Sequence, residues 1–298
     1  MTTLQKAARI IATHGRHYLA ECDGELMLSV TRGKKSDVAV GDWVMIAQTA
    51  KGQAVIESIK ERKNLLFRSD QYKSRLLAAN VTRLFIVAAT EPGFSDDLIS
   101  RALVAAEAAD IDAHLILNKT DIADALPKAR ERLQRYTSPG YPLHEVAATG
   151  APDATRQTLM PLVKNRTTLL IGQSGMGKSS IINTLVPGAD IATREISSAL
   201  DAGKHTTTFT RMYRIDADSA LIDSPGFSEF GLYHLDKTAL ENAFREFRPY
   251  LGHCRFHNCN HLTEPGCAIL AAVEAGDISP ARQRLYAQLL HETSQKVY

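Results

Sequence analysis

The sequence predicts a multi-domain chain with an α/β centre, and three changes of pattern carry that expectation. Up to about residue 68, short strand-like segments recur at regular spacing with few helical periods. Apolar runs then alternate with helical segments, as in a mostly parallel sheet flanked by helices. Beyond about residue 238 the strands stop, and helical segments surround a group of cysteines and histidines. The expected domains are therefore 1–68, 69–238 and 239–298.

In the first region, "HYLAEC" and "LMLSVTR" flank Asp23-Gly24, a hairpin signal. "DWVMIAQ" and "AVIESIK" flank a second turn at Gly52. Several short strands of this kind suit a small barrel, and "VAVGDWVMI" is like a turn of an OB-fold; another small barrel or a sandwich would read the same way. The first twenty residues lack acids and carry Lys6, Arg9 and Arg16, as a transit peptide would. The competing expectation is a first β-strand, because "ARIIATHGRHYLAEC" runs directly into strand-like sequence.

The central region opens with "RLFIVAAT", an apolar run suited to a strand buried on both faces. A helical period in "DDLISRALVAAEAAD" follows, then "AHLILNKTD", a helix around Pro127 to Tyr136, and "LHEVAATG". "TTLLIGQSGMGKSSIINTL" and "SALIDSPG" complete the alternation. After residue 238, "KTALENAFREFRPYL" and "PARQRLYAQLLHETSQKVY" are expected to be helices.

"GQSGMGKSS" has the spacing of a phosphate-binding loop between an apolar strand and a helix. Gly172, Gly175 and Gly177 would let the backbone turn its N–H groups onto a phosphate, with Gln173, Ser174, Met176 and Ser180 completing the cradle. Lys178 would reach the β- and γ-phosphates, and Ser179 would offer its hydroxyl to magnesium. "NKTD" spans Asn118, Lys119, Thr120 and Asp121 at a strand end. A carboxylate at Asp121 can accept from both N1–H and the N2 amine of guanine, a donor pair that adenine lacks. Asn118 can bridge the phosphate loop and the base, and the Lys119 stem can cover the ring. "VAATG" supplies Ala147 and Ala148 as backbone beside the base. "DSPG" contributes Asp223 to magnesium through water and Gly226 as a γ-phosphate sensor, while the polar stretch "GKHTTT" suits a switch in which Thr207 coordinates magnesium. The base-reading segment precedes the phosphate loop, the reverse of the usual order. Joining the neighbouring ends of a folded α/β domain and cutting elsewhere would preserve its ligand loops, so the expected centre is a circularly permuted P-loop GTPase.

"CRFHNCNHLTEPGC" places Cys254, Cys259, His261 and Cys267 as three thiolates and an imidazole, a closed tetrahedral set for one structural zinc. His253 and His257 stand nearby as alternative imidazoles. Cys22, far from this group, is expected to be an ordinary strand residue.

Together these motifs resemble the ribosome small-subunit-dependent GTPase A family over essentially the whole length. The resemblance implies an OB-fold, a permuted GTPase and a C-terminal zinc region, with the small ribosomal subunit as partner and late subunit maturation as the role. One departure is Lys204, where the family commonly has Arg; this keeps the charge and loses the planar fork. Phe227 occupies the position where many GTPases use Gln to orient the attacking water. His205 in the switch is the candidate to replace it, and the resemblance supports that role.

A net charge of +2 is too weak to argue nucleic-acid binding alone, although Arg245, Arg248, Arg255, His253 and His257 form a local basic group. No stretch approaches the roughly 18 apolar residues of a membrane span. The expectations are a cytoplasmic monomer that binds GTP or GDP with magnesium, and ribosomal RNA through its barrel and zinc regions. Two rivals stand beside this reading: a P-loop ATPase or kinase with a chance "NKTD", and a GTP-gated RNA-binding module whose hydrolysis is incidental.

Overall fold

The computed structural model describes residues 5–33, 37–69, 74–189, 210–224 and 232–294. Five strands form the N-terminal unit: β1 (Gln5–His14), β2 (His17–Cys22), β3 (Glu25–Thr31), β4 (Trp43–Ala50) and β5 (Gln53–Ile59). β1 pairs with both β2 and β4, β3 lies parallel to β5, and β5 pairs with β4, so the sheet closes on itself. Closure removes the free edges of a five-stranded sheet. A register shift between Ile10 and Ala12 bends β1 where it passes from one partner to the next. The β2–β3 turn is Asp23-Gly24 with both residues at positive φ, as a two-residue hairpin requires. Its interior is Ala8, Ile10, Tyr18, Ala20, Val44 and Ile46 with their neighbours. Residues 5–14 are thus a barrel strand, as the strand reading expected, and Cys22 is a buried strand residue.

A hairpin of β6 (Leu65–Ser69) and β7 (Ser74–Ala79) follows. The α/β layer then contains β8 (Arg83–Ala89), β9 (Asp112–Asn118), β10 (Leu143–Glu145), β11 (Thr167–Ile171), β12 (Arg211–Arg214) and β13 (Ala220–Asp223). Their spatial order is β10-β9-β8-β11-β13-β12, parallel except for β12. β12 also pairs with β1 at Ala12↔Arg211, which makes the barrel and this layer one continuous sheet. The helices are α1 (Asp96–Ala108), α2 (Leu126–Thr137), α3 (Pro152–Val163) and α4 (Lys178–Leu185). The apolar run of β8 is buried from Leu84 to Ala89, as a strand covered on both faces must be.

The C-terminal part differs from expectation in its first helical segment and in a further short helix after the cysteines. "KTALENAFREFRPYL" is not one helix: α5 (Lys237–Asn242) ends, Phe244 is extended, and a 3₁₀ helix runs over Arg245–Tyr250. Pro249 has no N–H to donate to a continuing helix, and Phe244 and Phe247 stack in the core at 4.9 Å. α6 (Ala268–Ala275) and α7 (Pro280–Ser294) complete the chain.

Charged clamps hold this part against α1. Arg101 is buried and makes two hydrogen bonds of 2.7 Å to Glu292 on α7, as well as two to Asp97. Glu107 accepts from Arg245 and Arg248, each at 2.6 Å. Arg101 and Glu107 are themselves largely out of water, so leaving either charge without its partners would cost about 3–5 kcal/mol. The C-terminal helices are therefore fixed to the helix that follows the first strand of the α/β layer.

Candidate functional site

Strands β8, β9, β10, β11 and β13 run parallel, so their C-terminal ends meet along one edge, where open α/β sheets bind ligands. The Asn118–Asp121 segment leaves β9 there, the Val146–Ala148 backbone follows β10, the glycine-rich loop follows β11 and Asp223 ends β13. Segments far apart in sequence thus converge without regard to their order.

Asn118 makes the junction. Only 2% exposed, it donates through Nδ2 to the Met176 carbonyl at 3.0 Å and accepts at Oδ1 from the Ala148 N–H at 3.0 Å. One amide therefore fixes the Asn118–Asp121 segment, the glycine-rich loop and the backbone after β10. Gly177, at φ +90°, passes directly under it: a Cβ there would lie 2.1 Å from Asn118 Nδ2. Thr120 donates its N–H and its hydroxyl to the Val146 carbonyl. Asp121 is exposed, leaving its carboxylate open to a ligand, and Gly150 gives it room, since a Cβ there would come within 2.6 Å of Oδ2.

In the phosphate loop, Lys178 is 9% exposed and donates to the carbonyls of Gly172 and Gln173 at 2.8 and 3.1 Å. Burial lowers its pKa, with Asp223 pulling the other way. Asp223 is 5% exposed, and burial raises its pKa to about 6 against the opposing pull of Lys178 and Arg211. A divalent cation beside this buried carboxylate would favour its ionised form. Ser174, Gly175 and Ser179 are exposed along the loop, Gln173, Gly177 and Ser180 are half-buried, and Met176 is buried beneath it. His205, Thr207 and Gly226, together with Lys204 and Phe227, lie outside the described residues.

One wall of the site was not foreseen. The segment from Thr90 to Ser95 lies between the two motifs: the Thr90 hydroxyl donates to the Lys119 carbonyl, Lys119 Nζ donates to the Glu91 carbonyl at 2.8 Å, and the Ser95 N–H donates to Gln173 Oε1 at 2.8 Å. Ser95 is also the N-cap of α1. A turn signal in "TEPGFS" was visible, but its place beside the phosphate loop follows only from the strand order.

The second candidate site is a metal centre. The Sγ atoms of Cys254, Cys259 and Cys267 and a ring nitrogen of His261 all lie within 4.8 Å of one another. Cys254 and Cys267 are 3.9 Å apart, and His261 Nδ1 is 3.5 and 3.3 Å from them. A tetrahedron with Zn–S and Zn–N bonds of ordinary length has edges of about 3.5–3.8 Å. Burial pushes the Cys259 thiol up to about 12, so a thiolate at that position would call for a cation beside it. The cluster can therefore hold a metal ion such as zinc. His253 and His257 are exposed and outside the cluster, which leaves His261 as its imidazole. Glu264 shapes the loop: burial would raise its pKa, but the N–H groups of Asn260, Leu262 and Thr263 bring it down to about 2.

Comparison with known proteins agrees with this geometry. The RsgA GTPase family model matches residues 59–233. The chain is 59% identical over 291 residues to the small ribosomal subunit biogenesis GTPase RsgA of Burkholderia pseudomallei, covering 97% of this chain and 93% of that one. It is 57% identical over 291 residues to the protein of the same name from Paraburkholderia phymatum, covering 97% and 92%. Among solved structures, YjeQ from Thermotoga maritima superposes with a TM-score of 0.73 at 28% identity, over 99% of this chain and all of that one. YloQ, described as a circularly permuted GTPase, shares the fold with a TM-score of 0.69 at 24% identity, over 99% and 97%. A barrel, a permuted P-loop layer and helices around a Cys/His cluster are thus this chain's architecture, and the chain belongs to the RsgA GTPase family.

Proposed function

We propose that this protein is a GTP hydrolase that acts in biogenesis of the small ribosomal subunit, binding the subunit late in maturation and using hydrolysis to time its release. Family membership supports the reaction and the pathway. The observation that carries the nucleotide reading is the Asn118 amide, which joins Met176 of the phosphate loop to Ala148 beside the base position. A chance "NKTD" would have no reason to lock onto a phosphate loop 58 residues away. This disfavours an ATPase or kinase.

In this reading Asp121 selects guanine, Asn118, Lys119 and Thr120 with Ala147 and Ala148 frame the base, and the loop from Gly172 to Ser180 cradles the phosphates. Lys178 exchanges its loop carbonyls for β- and γ-phosphate oxygens. Ser179, Thr207 and Asp223 hold magnesium, which supplies charge neutralisation at the phosphates when bound. Gly226 senses the γ-phosphate, and His205 handles the attacking water. Cys254, Cys259, His261 and Cys267 hold one structural zinc. The barrel (1–68) and the zinc region (239–298) are the proposed ribosomal RNA grips on either side of the GTPase (69–238), in a cytoplasmic monomer. None of the described helices is long and apolar enough to cross a membrane.

The test is base selection. Asp121→Asn should weaken GTP binding by about 10²-fold or more and strengthen binding of xanthosine triphosphate, whose C2 oxygen accepts where guanine donates. Titration of both nucleotides against parent and variant decides it. Unchanged preference would refute the base-reading assignment.

A further inference from the structure

Glu241 lies on α5, outside the metal cluster, yet it is aimed at it. Its Oε1 is 3.5 Å from His261 Nε2, 3.4 Å from Lys237 Nζ and 3.3 Å from the Tyr286 hydroxyl. The side chains of Glu241 and His261 are only 15% and 5% exposed. On the other side of the ring, Nδ1 is the atom that approaches Cys254 and Cys267. The two ring nitrogens therefore face different partners. A ring that donates Nε2–H to a carboxylate has its lone pair at Nδ1, where the thiolates converge.

We infer that Glu241 is a positioning residue for the metal centre: it fixes His261 as an Nδ1 ligand and ties the bound metal to α5. This rests on the zinc reading above. A carboxylate behind a ligating imidazole sets its tautomer and raises its basicity. The surroundings agree. Lys237, one turn before Glu241 on α5, also donates to the Cys259 carbonyl at 2.7 Å, and Gln283 on α7 donates to the His261 carbonyl at 3.1 Å. His261 itself has φ +59°, a left-handed conformation that an ordinary side chain adopts only when its surroundings hold it. α5, which begins 11 residues after Gly226, is thus anchored to the cluster through two of its side chains, Lys237 and Glu241.

The experiment measures zinc affinity of the full-length protein by competition with a chromophoric chelator, at a temperature well below melting. Parent, Glu241→Ala, Glu241→Gln and Glu246→Ala are compared. Glu246 pairs with buried Arg282 in the same region but touches no ligand, so its loss reports general loosening. Glu241→Ala should weaken zinc by about 10–100-fold. Glu241→Gln keeps an acceptor without the charge and should lose about three- to tenfold, a measurement that decides the matter if the alanine variant does not fold. Glu246→Ala should lower the melting temperature and hold zinc as the parent does. The inference is overturned if both Glu241 variants match the parent, or if Glu246→Ala loosens zinc as much as Glu241→Ala. A parent that binds no zinc would instead refute the zinc reading on which it stands.

Discussion

Gly177 is the residue on which the two nucleotide motifs depend for contact. It has φ +90°, and a Cβ would sit 2.1 Å from Asn118 Nδ2. Gly177→Ala must therefore push Asn118 away from Met176 or distort the loop, besides paying the left-handed cost of about 1 kcal/mol. We expect it to weaken GTP binding more than tenfold and to destabilise the fold by about 1–3 kcal/mol. Gly188 is the control: it also has φ +90°, but nothing lies within 4 Å of its Cβ position. Gly188→Ala should lose stability only, and equal loss of GTP binding in the two variants would contradict the argument. At this scale much was legible. Glycines at fixed spacing, the strand before them and the paired Asn and Asp mark the two motifs that the structure sets side by side. Glu241 and Ser95 were not legible, because a lone Glu on a helix and a Ser before one carry no spacing signal. Their roles come from packing between segments distant in sequence.

Between β9 and β10 lies an element-scale device of a different kind. His114 and His144 stack with ring centroids 5.1 Å apart, and Nδ1 of one is 2.9 Å from Nε2 of the other. One nitrogen must donate and the other accept, so the contact does not survive two protonated rings. Burial lowers both pKa values; Arg83 adds to this for both rings and Arg166 for His114, while Asp112 opposes it at His114. The unfolded chain then takes up protons first as pH falls. Stability from this pair is fully present above the ordinary histidine value of 6.5 and is lost as pH drops through the folded values. Denaturant unfolding from pH 8 to 5 should show that decline, and His144→Gln should flatten it. A variant with the parent's acid slope would sink the claim. Most strands were legible from their apolar runs, as were α1, α2, α4 and α7, but the β6–β7 hairpin and α3 were not. β12 and α6 were not foreseen either, since four residues of "RMYR" have no clear period and "AILAAVEA" is apolar but for one Glu. The break at Phe244 follows from core packing that overrides helical periodicity.

For the whole molecule, the order of motifs along the chain is separate from their order in the sheet. The permutation was readable because four of the expected ligand segments follow apolar runs that are parallel strands here, β9, β10, β11 and β13, whatever sequence connects them. What the sequence did not reveal is how firmly the parts are joined: β1 continues the sheet through β12, and α1 runs from Ser95, bonded to Gln173, to the clamps at Arg101 and Glu107. A nucleotide that moved the glycine-rich loop would thus act on a helix already fixed to the C-terminal helices. A ligand shifts such an assembly only by its different affinity for two states, and a partner that prefers one state must in turn favour its nucleotide. The most direct measurement is GTP turnover with purified small ribosomal subunits, with large subunits and with neither. Small subunits should accelerate hydrolysis about 10²-fold, the scale of bringing a catalytic group to the attacking water, while large subunits leave it near the basal rate. Turnover that is the same in all three conditions would contradict a subunit-timed GTPase.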